Sequence, residues 1–371
     1  MNLSYWEQQS WFNHVDFCIV GSGIVGLSCA LQLQNKHPKA KILVLEKGIL
    51  PQGASTKNAG FACFGSASEL LSDLKNHSEE EVVSLVKQRI NGLELLKSTL
   101  GEKHIDFQQH GGYEVFLKKD KALFEECEAN LNRLNQLLKP VLQAEVFQMK
   151  TNTFGFKNSL EQLIFNPFEG QIDTGKMMQA LLKKAQSQGI SVLNSVEVKS
   201  FSTANETVEI QLKDFSFEAK HLCIATNAFA SELLDVKVTP ARNQVLITQP
   251  IPKLHIKGTF HLDEGFYYFR NIHNRILLGG GRHLDEVGET TSVLATTENI
   301  QNALENMLHE VILPDQQVEI DHRWIGILGV GKQKKPIVQS VENRVHCAVR
   351  LGGMGIAIGS NVGKELANLI D

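Results

Sequence analysis

DFCIVGSGIVGLSCALQLQNKHPKAKILVLE, residues 16–46, passes from a short apolar run through a glycine-rich turn into a helical pattern. Phe17-Cys18-Ile19-Val20 is short and β-rich enough for a buried parallel strand. Gly21-Ser22-Gly23-Ile24-Val25-Gly26 has the G-x-G-x-x-G spacing, and Leu27 to Leu33 bring apolar residues at helical intervals. A second strand, Lys41 to Leu45, ends on Glu46, twenty residues after Gly26. In that register Gly21 permits the tight turn, Gly23 admits a pyrophosphate to the backbone, and Gly26 lets the helix lie close on the strand. The free amides of the first helical turn face the phosphates, and Glu46 accepts hydrogen bonds from a ribose. The stretch predicts a dinucleotide-binding unit.

The bulk numbers agree with an ordinary globular protein. The chain has 371 residues, 42% hydrophobic and 21% charged, with a net charge of −4, a size that suggests two domains. A mildly acidic balance argues against nucleic acid as the main partner. No apolar run reaches the length of a membrane span, and the N-terminus lacks a signal pattern, so a cytoplasmic location is expected. The 6 cysteines are scattered without a C-x-x-C pair and the histidines are dispersed, which gives no disulfide or zinc pattern. Tyr5, Trp6, Trp11 and Phe12 precede the first strand and are expected to pack onto the body.

Beyond Glu46, the segment from Lys47 to Phe61 is rich in small and hydroxylated residues. Ser55 and Thr56 have hydroxyls for phosphate oxygens, and Asn58-Ala59-Gly60 offers backbone amides beside a flat ring. Ser78 and Glu81 form a capping box for a helix running up to Gly101, with Val82, Val83, Leu85, Val86, Ile90, Leu93, Leu95 and Leu96 as its apolar face. Residues 111–117 alternate as a strand, and a polar helix from about Asp120 to Leu138 is expected to end at Pro140. Asp173 caps a helix reaching Ala185 and ending at Gly189; 190–193 and 196–198 follow as strand material, 207–217 as a hairpin and 222–225 as a buried strand. Strands at 240–247, 265–270 and 275–282, with a helix near 297–310, read as an antiparallel sheet that walls a substrate pocket. The chain continues through the glycine-rich 351–360 into a helix containing Val362, Leu366 and Ile370.

Five stretches in order, GSGIVG with Glu46, GASTKNAGF, EGQIDTGKMMQALLKKA, CIATNAF followed by PARNQV, and RWIGILG followed by LGGMGI, resemble the D-amino-acid-oxidase superfamily of FAD enzymes. That group holds glycine oxidase, sarcosine oxidase and D-amino-acid dehydrogenase. The resemblance implies an α/β, two-domain (α+β) fold: a Rossmann-like FAD-binding domain from 1–75, 151–235 and 326–371, and an antiparallel-sheet substrate domain from 76–150 and 236–325. It implies FAD rather than NAD, and since the family's covalent attachment residues are not evident in this sequence, a dissociable FAD is expected. The cofactor contacts it implies are Gly21, Ser22, Gly23, Ile24, Val25, Gly26, Glu46, Lys47, the loop Ser55, Thr56, Lys57, Asn58, Ala59 and Gly60, then Val198, Ala225 and Thr226. Gly353, Met354, Gly355 and Ile356 would bring a helix N-terminus to the flavin N1 and C2 carbonyl, where its dipole favours the reduced anion.

The chemistry so implied is oxidation of the C–N bond of a small amino acid or amine (a D-amino acid, glycine derivative or N-alkyl amino acid), by hydride transfer to flavin N5 and hydrolysis of the imine. Such a reaction needs placement more than acid–base groups. Tyr267, Tyr268 and Arg270 occupy the family's pocket positions, with strand alternation letting one tyrosine face inward and Arg270 able to pair with a carboxylate. Amino-acid-oxidising members carry a carboxylate-binding arginine where Leu328 stands, so that either Arg270, Arg282, Arg242 or Lys332 supplies the charge or the substrate is another amine. A 2-hydroxy acid as substrate and a non-catalytic flavoprotein are the competing readings. Oxygen or an electron carrier would be the acceptor.

Overall fold

Phe17 and Ile19 point to one side of their strand and Cys18 and Val20 to the other, and both sides are buried in apolar clusters, as a parallel strand requires. The computed structural model describes residues 3–204 and 206–370. A helical turn α1 (Tyr5–Glu7) precedes β1 (Val15–Val20), α2 (Ile24–Lys36) and β2 (Ile42–Leu45). Then come β3 (Phe61–Ala62), α3 (Ala67–Leu74), α4 (Glu79–Leu100), β4 (Gly112–Glu114), α5 (Lys121–Leu142), β5 (Gln148–Thr151), β6 (Gln162–Asn166) and β7 (Gly170–Gln171). They are followed by α6 (Thr174–Ser187), β8 (Ser191–Leu193), β9 (Ser200–Thr203), β10 (Val208–Gln211), β11 (Ser216–Ile224), β12 (Thr239–Thr248), β13 (Thr259–Leu262), β14 (Tyr267–Ile272) and β15 (Arg275–Gly280). Last are α7 (Glu286–Glu289), α8 (Glu298–Met307), β16 (Ile320–Val330), β17 (Ile337–Glu342), β18 (Val345–Val349) and α9 (Gly355–Ala367).

Two large sheets organise these elements. The first runs β17-β18-β11-β1-β2-β8, with the β9–β10 hairpin continuing from β11. Its central pairs, β11–β1, β1–β2, β2–β8 and β11–β18, are parallel. One face packs on α2, α4, α6 and α9, and the other is closed by the hairpin and neighbouring loops. The second sheet runs β16-β12-β15-β14-β13-β4-β6-β5 and is antiparallel except for β13–β4. Phe260, Phe269 and Leu278 face α8, so the opposite face of β13 and β14 is turned toward the first sheet's loops.

Several elements differ from the sequence reading. The α5 helix runs through Pro140 to Leu142, because a proline in a last turn forfeits one ladder bond, and left-handed Gln143 ends it instead. Residues 196–198 lie beside Glu46 but form no strand. β6 pairs with β4 and β5 in the second sheet, while Leu93, Leu96 and Leu100 of α4 join the core of the first. Tyr5 and Trp6 stand in solvent, and only Phe12 of that leader packs inward, edge-on to Phe215. Among the described residues no helix is long and apolar enough to cross a membrane.

Candidate active site

The ends of β1 and β2 open into a cavity of about 420 Å³. Gly21 is left-handed (φ 103°), and a side chain there would meet the Ala225 carbonyl oxygen at 2.8 Å. Gly23 caps α2 without a side chain, and the Ile24 amide donates to Ser55 Oγ at 3.0 Å, which sets Ser55 over the helix N-terminus. Glu46 is buried; Ser22 donates to its Oε2 through both amide (3.1 Å) and hydroxyl (2.9 Å), and Gly48 to its Oε1. Those bonds fix the carboxylate, fill Oε2 and leave Oε1 able to accept one more. Val25, Val198, Ala225 and Thr226 line the same cavity, and Thr226 Oγ1 is buried without a partner. Lys47 also lines it but is spent on Glu197 and Glu232. The Ser22 side chain points away, and Gly26 serves the α2–β1 contact instead.

A second cavity of about 410 Å³ adjoins the first and shares Asn58, Leu328, Leu351, Gly353 and Ile356 with it. Asn58 pins the loop between them: its Nδ2 donates to the Ala54 and Ser55 carbonyls, and its Oδ1 accepts from Gly60 and Thr174. Thr56 is used locally, donating to Pro51, whereas Lys57, Ala59, Gly60 and Met354 face the second cavity. The turn before α9 is held by Asn227, whose Oδ1 accepts from the Arg350 and Leu351 amides, and Gly355 starts the helix at the edge of the first cavity.

The three predicted pocket residues have different fates. Tyr268 lines the second cavity, edge-on to Phe61, with Gly279 opposite leaving room for its ring. Tyr267 points the other way, into the α8 core. Arg270 shares the Tyr268 face but stops short of the cavity: Nε donates to the Ala59 carbonyl and Nη2 to that of Ile172 at 2.9 Å, and burial lowers its pKa to about 10. The free-anchor expectation is thereby corrected; Arg270 fixes the loop at Ala59. Arg242 is likewise withdrawn, its Nε and Nη2 bonded to Glu289 at 2.9 and 2.8 Å. Arg282 does line the second cavity, lying over the Phe266 ring, whereas Lys332 is exposed and outside the lining.

Sequence reading missed Arg89, Glu69, Asn243 and His261 in this cavity. Arg89 had a signal: it interrupts the buried stripe Val82, Val86, Leu93, Leu96, Leu100 of α4 at its own helical position. His261 gave none, since its partner Glu169, at 2.8 Å, lies far back in the chain. Cys63, Glu169 and His261 place their donor atoms within 4.8 Å of one another.

Burial opposes charge on His261, yet Glu169 more than compensates and holds the imidazole up at about 9. Burial also lifts Glu114 to about 7 against its bonds from Ser68. A histidine raised from 6.5 to about 9 stabilises the fold fully below pH 6.5 and loses that contribution as pH rises through 9. His261→Gln should therefore lower the melting temperature at pH 6.5 and flatten its decline up to pH 9. A variant declining as steeply as the parent would refute the charged pair.

A family model described as DAO, FAD dependent oxidoreductase, matches residues 16–369. The probable oxidoreductase OrdL of Haemophilus influenzae is 20% identical, over 96% of this chain and 83% of its own. Gamma-glutamylputrescine oxidoreductase of Escherichia coli shows the same identity and coverage, 20%, 96% and 83%. Iminodiacetate oxidase of Chelativorans sp. BNC1 shares the fold, with a TM-score of 0.77 at 19% identity over 95% of both chains.

Proposed function

The chain belongs to the DAO family of FAD-dependent oxidoreductases, and from that premise we propose that it oxidises the C–N bond of a small amine or amino acid, with FAD held non-covalently. The observation that carries this reading is the joining of the two cavities at Asn58, Leu328 and Gly353: one has the form of a nucleotide cleft, and the other is wide enough for a small substrate. The relatives named for gamma-glutamylputrescine and iminodiacetate point to nitrogen compounds as the substrate class.

The residues fit the cofactor. The Gly21–Gly26 turn and the α2 N-terminus would take the pyrophosphate, Glu46 the ribose, and the unpartnered Thr226 hydroxyl a further polar group of the ligand. When bound, the flavin supplies the two-electron acceptor for a hydride from the carbon beside nitrogen, and the imine left behind is hydrolysed by water. The amides at Gly355 and the positive end of α9 favour negative charge at the cavity junction. Tyr268 and Phe61 form an aromatic wall that limits water and orients an alkyl chain, and Asn58 keeps the intervening loop from shifting. Leu328 presents an apolar surface there, so charge recognition falls to other residues.

Anaerobic addition of D-amino acids, N-methyl amino acids, polyamines and 2-hydroxy acids to the purified holoprotein tests the assignment. Bleaching of the flavin absorption by an amine or amino acid is expected. Bleaching by 2-hydroxy acids alone would replace the reading with hydroxy-acid oxidation, and a flavin that no member of the panel bleaches would overturn it.

A further inference from the structure

The connection from β15 to α8 reaches from the second sheet to the first cavity. Among the described residues that line this cavity, only Ser292, Leu294 and Leu328 come from the second sheet and its connections; the others belong to the first sheet, its loops and the start of α9. Residues 290–297 form neither helix nor strand between α7 and α8, and Val293 and Leu294 are 59% and 57% exposed. Both ends of this stretch are tied to β12. Arg242 binds the Glu289 carboxylate, and its Nη2 and Nη1 donate to the Gly288 and Val293 carbonyls at 3.3 and 3.4 Å. Gln244 Nε2 donates to Glu289 at 2.9 Å and to Thr297 Oγ1 at 2.7 Å, and its Oε1 accepts from the Thr297 amide at 3.0 Å. Strand alternation sets Arg242 and Gln244 on one face of β12 and Asn243, which lines the second cavity, on the other. A leucine more than half exposed on a cavity wall loses that exposure when a ligand fills the cavity, and Ser292 brings a hydroxyl to the same wall.

We propose that residues 290–297 are a strap that retains bound FAD, with Leu294 covering the cofactor and Ser292 giving it a hydrogen bond. This rests on the non-covalent FAD reading and not on the identity of the substrate. The buried anchors explain how an irregular, exposed segment keeps its place at the cleft: Arg242 and Gln244 fix its two ends, and the tip between them is left free to settle on a ligand.

The test dilutes the holoprotein and follows free-flavin fluorescence as FAD dissociates. Leu294→Ala should release FAD about 3- to 10-fold faster, the loss expected when roughly half of a leucine's burial is forfeited. Ser292→Ala should release it about 2- to 5-fold faster, through the missing hydrogen bond. Val287→Ala is the control, because Val287 is 89% exposed on the same connection but outside the lining, and it should keep the parent's rate. Parent-like release by Leu294→Ala, or equal acceleration by Val287→Ala, overturns the strap and leaves FAD binding standing. Should Leu294→Ala purify without flavin, chymotrypsin acting on the parent decides: added FAD should slow cleavage after Leu294 at least severalfold. Cleavage at the same rate with and without added FAD would refute the strap. Flavin that stays on acid-denatured protein refutes the strap and the non-covalent reading together, since a covalently held cofactor does not dissociate. A flavin that no amine bleaches leaves the release rates readable, so the strap and the substrate assignment fail independently.

Discussion

Gly26→Ala should give a protein that is purified without its flavin and melts well below the parent. A Cβ at this position would stand 1.9 Å from the Gly21 carbonyl oxygen and 3.3 Å from Ile19 Cγ2. Both neighbours belong to the β1 strand and its turn, and Gly21 is itself held by its amide to the Leu45 carbonyl at 2.8 Å. Nothing flexible is present to yield, so α2 must lift from the sheet. That movement carries away the helix-start amides and uncouples Ile24 from Ser55. Overpacking of this kind costs about 1–3 kcal/mol, and more where backbone has to move. Flavin absorbance per mole of protein and a thermal melt measure the two consequences. A variant with the parent's flavin content would show that α2 has slack the geometry denies.

Glu289→Ala is expected to cost about 3–5 kcal/mol, because it leaves the Arg242 guanidinium buried without a counter-charge. The pair is nearly sealed, with side chains 6% and 2% exposed. Glu289 also accepts from Gln244 at 2.9 Å, so its removal frees a second buried donor. Replacing both members by methionine should recover most of the loss, since an apolar pair of similar volume owes nothing for desolvation. Urea unfolding of the two variants makes the comparison. A single variant within about 1 kcal/mol of the parent would show that the carboxylate carries little of Arg242's charge balance.

The contrast between Arg242, Arg270 and Arg89 marks how far the sequence could be read. The nucleotide half was legible because its signals are local: strand, glycine spacing, helix and acid lie within 31 consecutive residues, and the Asp173 and Ser78 caps announce themselves within three positions. The alternation that lets one of Tyr267 and Tyr268 face the cavity was equally local. What an arginine does is decided by partners that arrive from elsewhere. Arg270 meets carbonyls 211 and 98 residues away, and Arg242 a carboxylate 47 residues on. Side by side in the sequence, these basic residues on strands look alike. Strand partnership has the same limit, and so β6 joined the second sheet although its own residues carried no mark of it. Arg89 could have been noticed, because a cation on an otherwise apolar helical stripe breaks a pattern that can be counted.

Both cavities take one wall from residues near position 58 and another from Leu351, Gly353 and Ile356. The α9 helix is seated at that wall through close glycine contacts: a Cβ on Gly363 would come within 2.6 Å of Ser28, and one on Gly92 within 2.2 Å of the Ala357 carbonyl oxygen. On the ribosome these walls are separated by roughly 300 residues, about 15–60 s of translation. Throughout that interval the nascent chain displays the apolar flanks of α2 and α4 that α9 will cover, with no finished cleft to receive a cofactor. Flavin loading on the finished cleft is thus expected only after α9 has been made and has docked on α2 and α4.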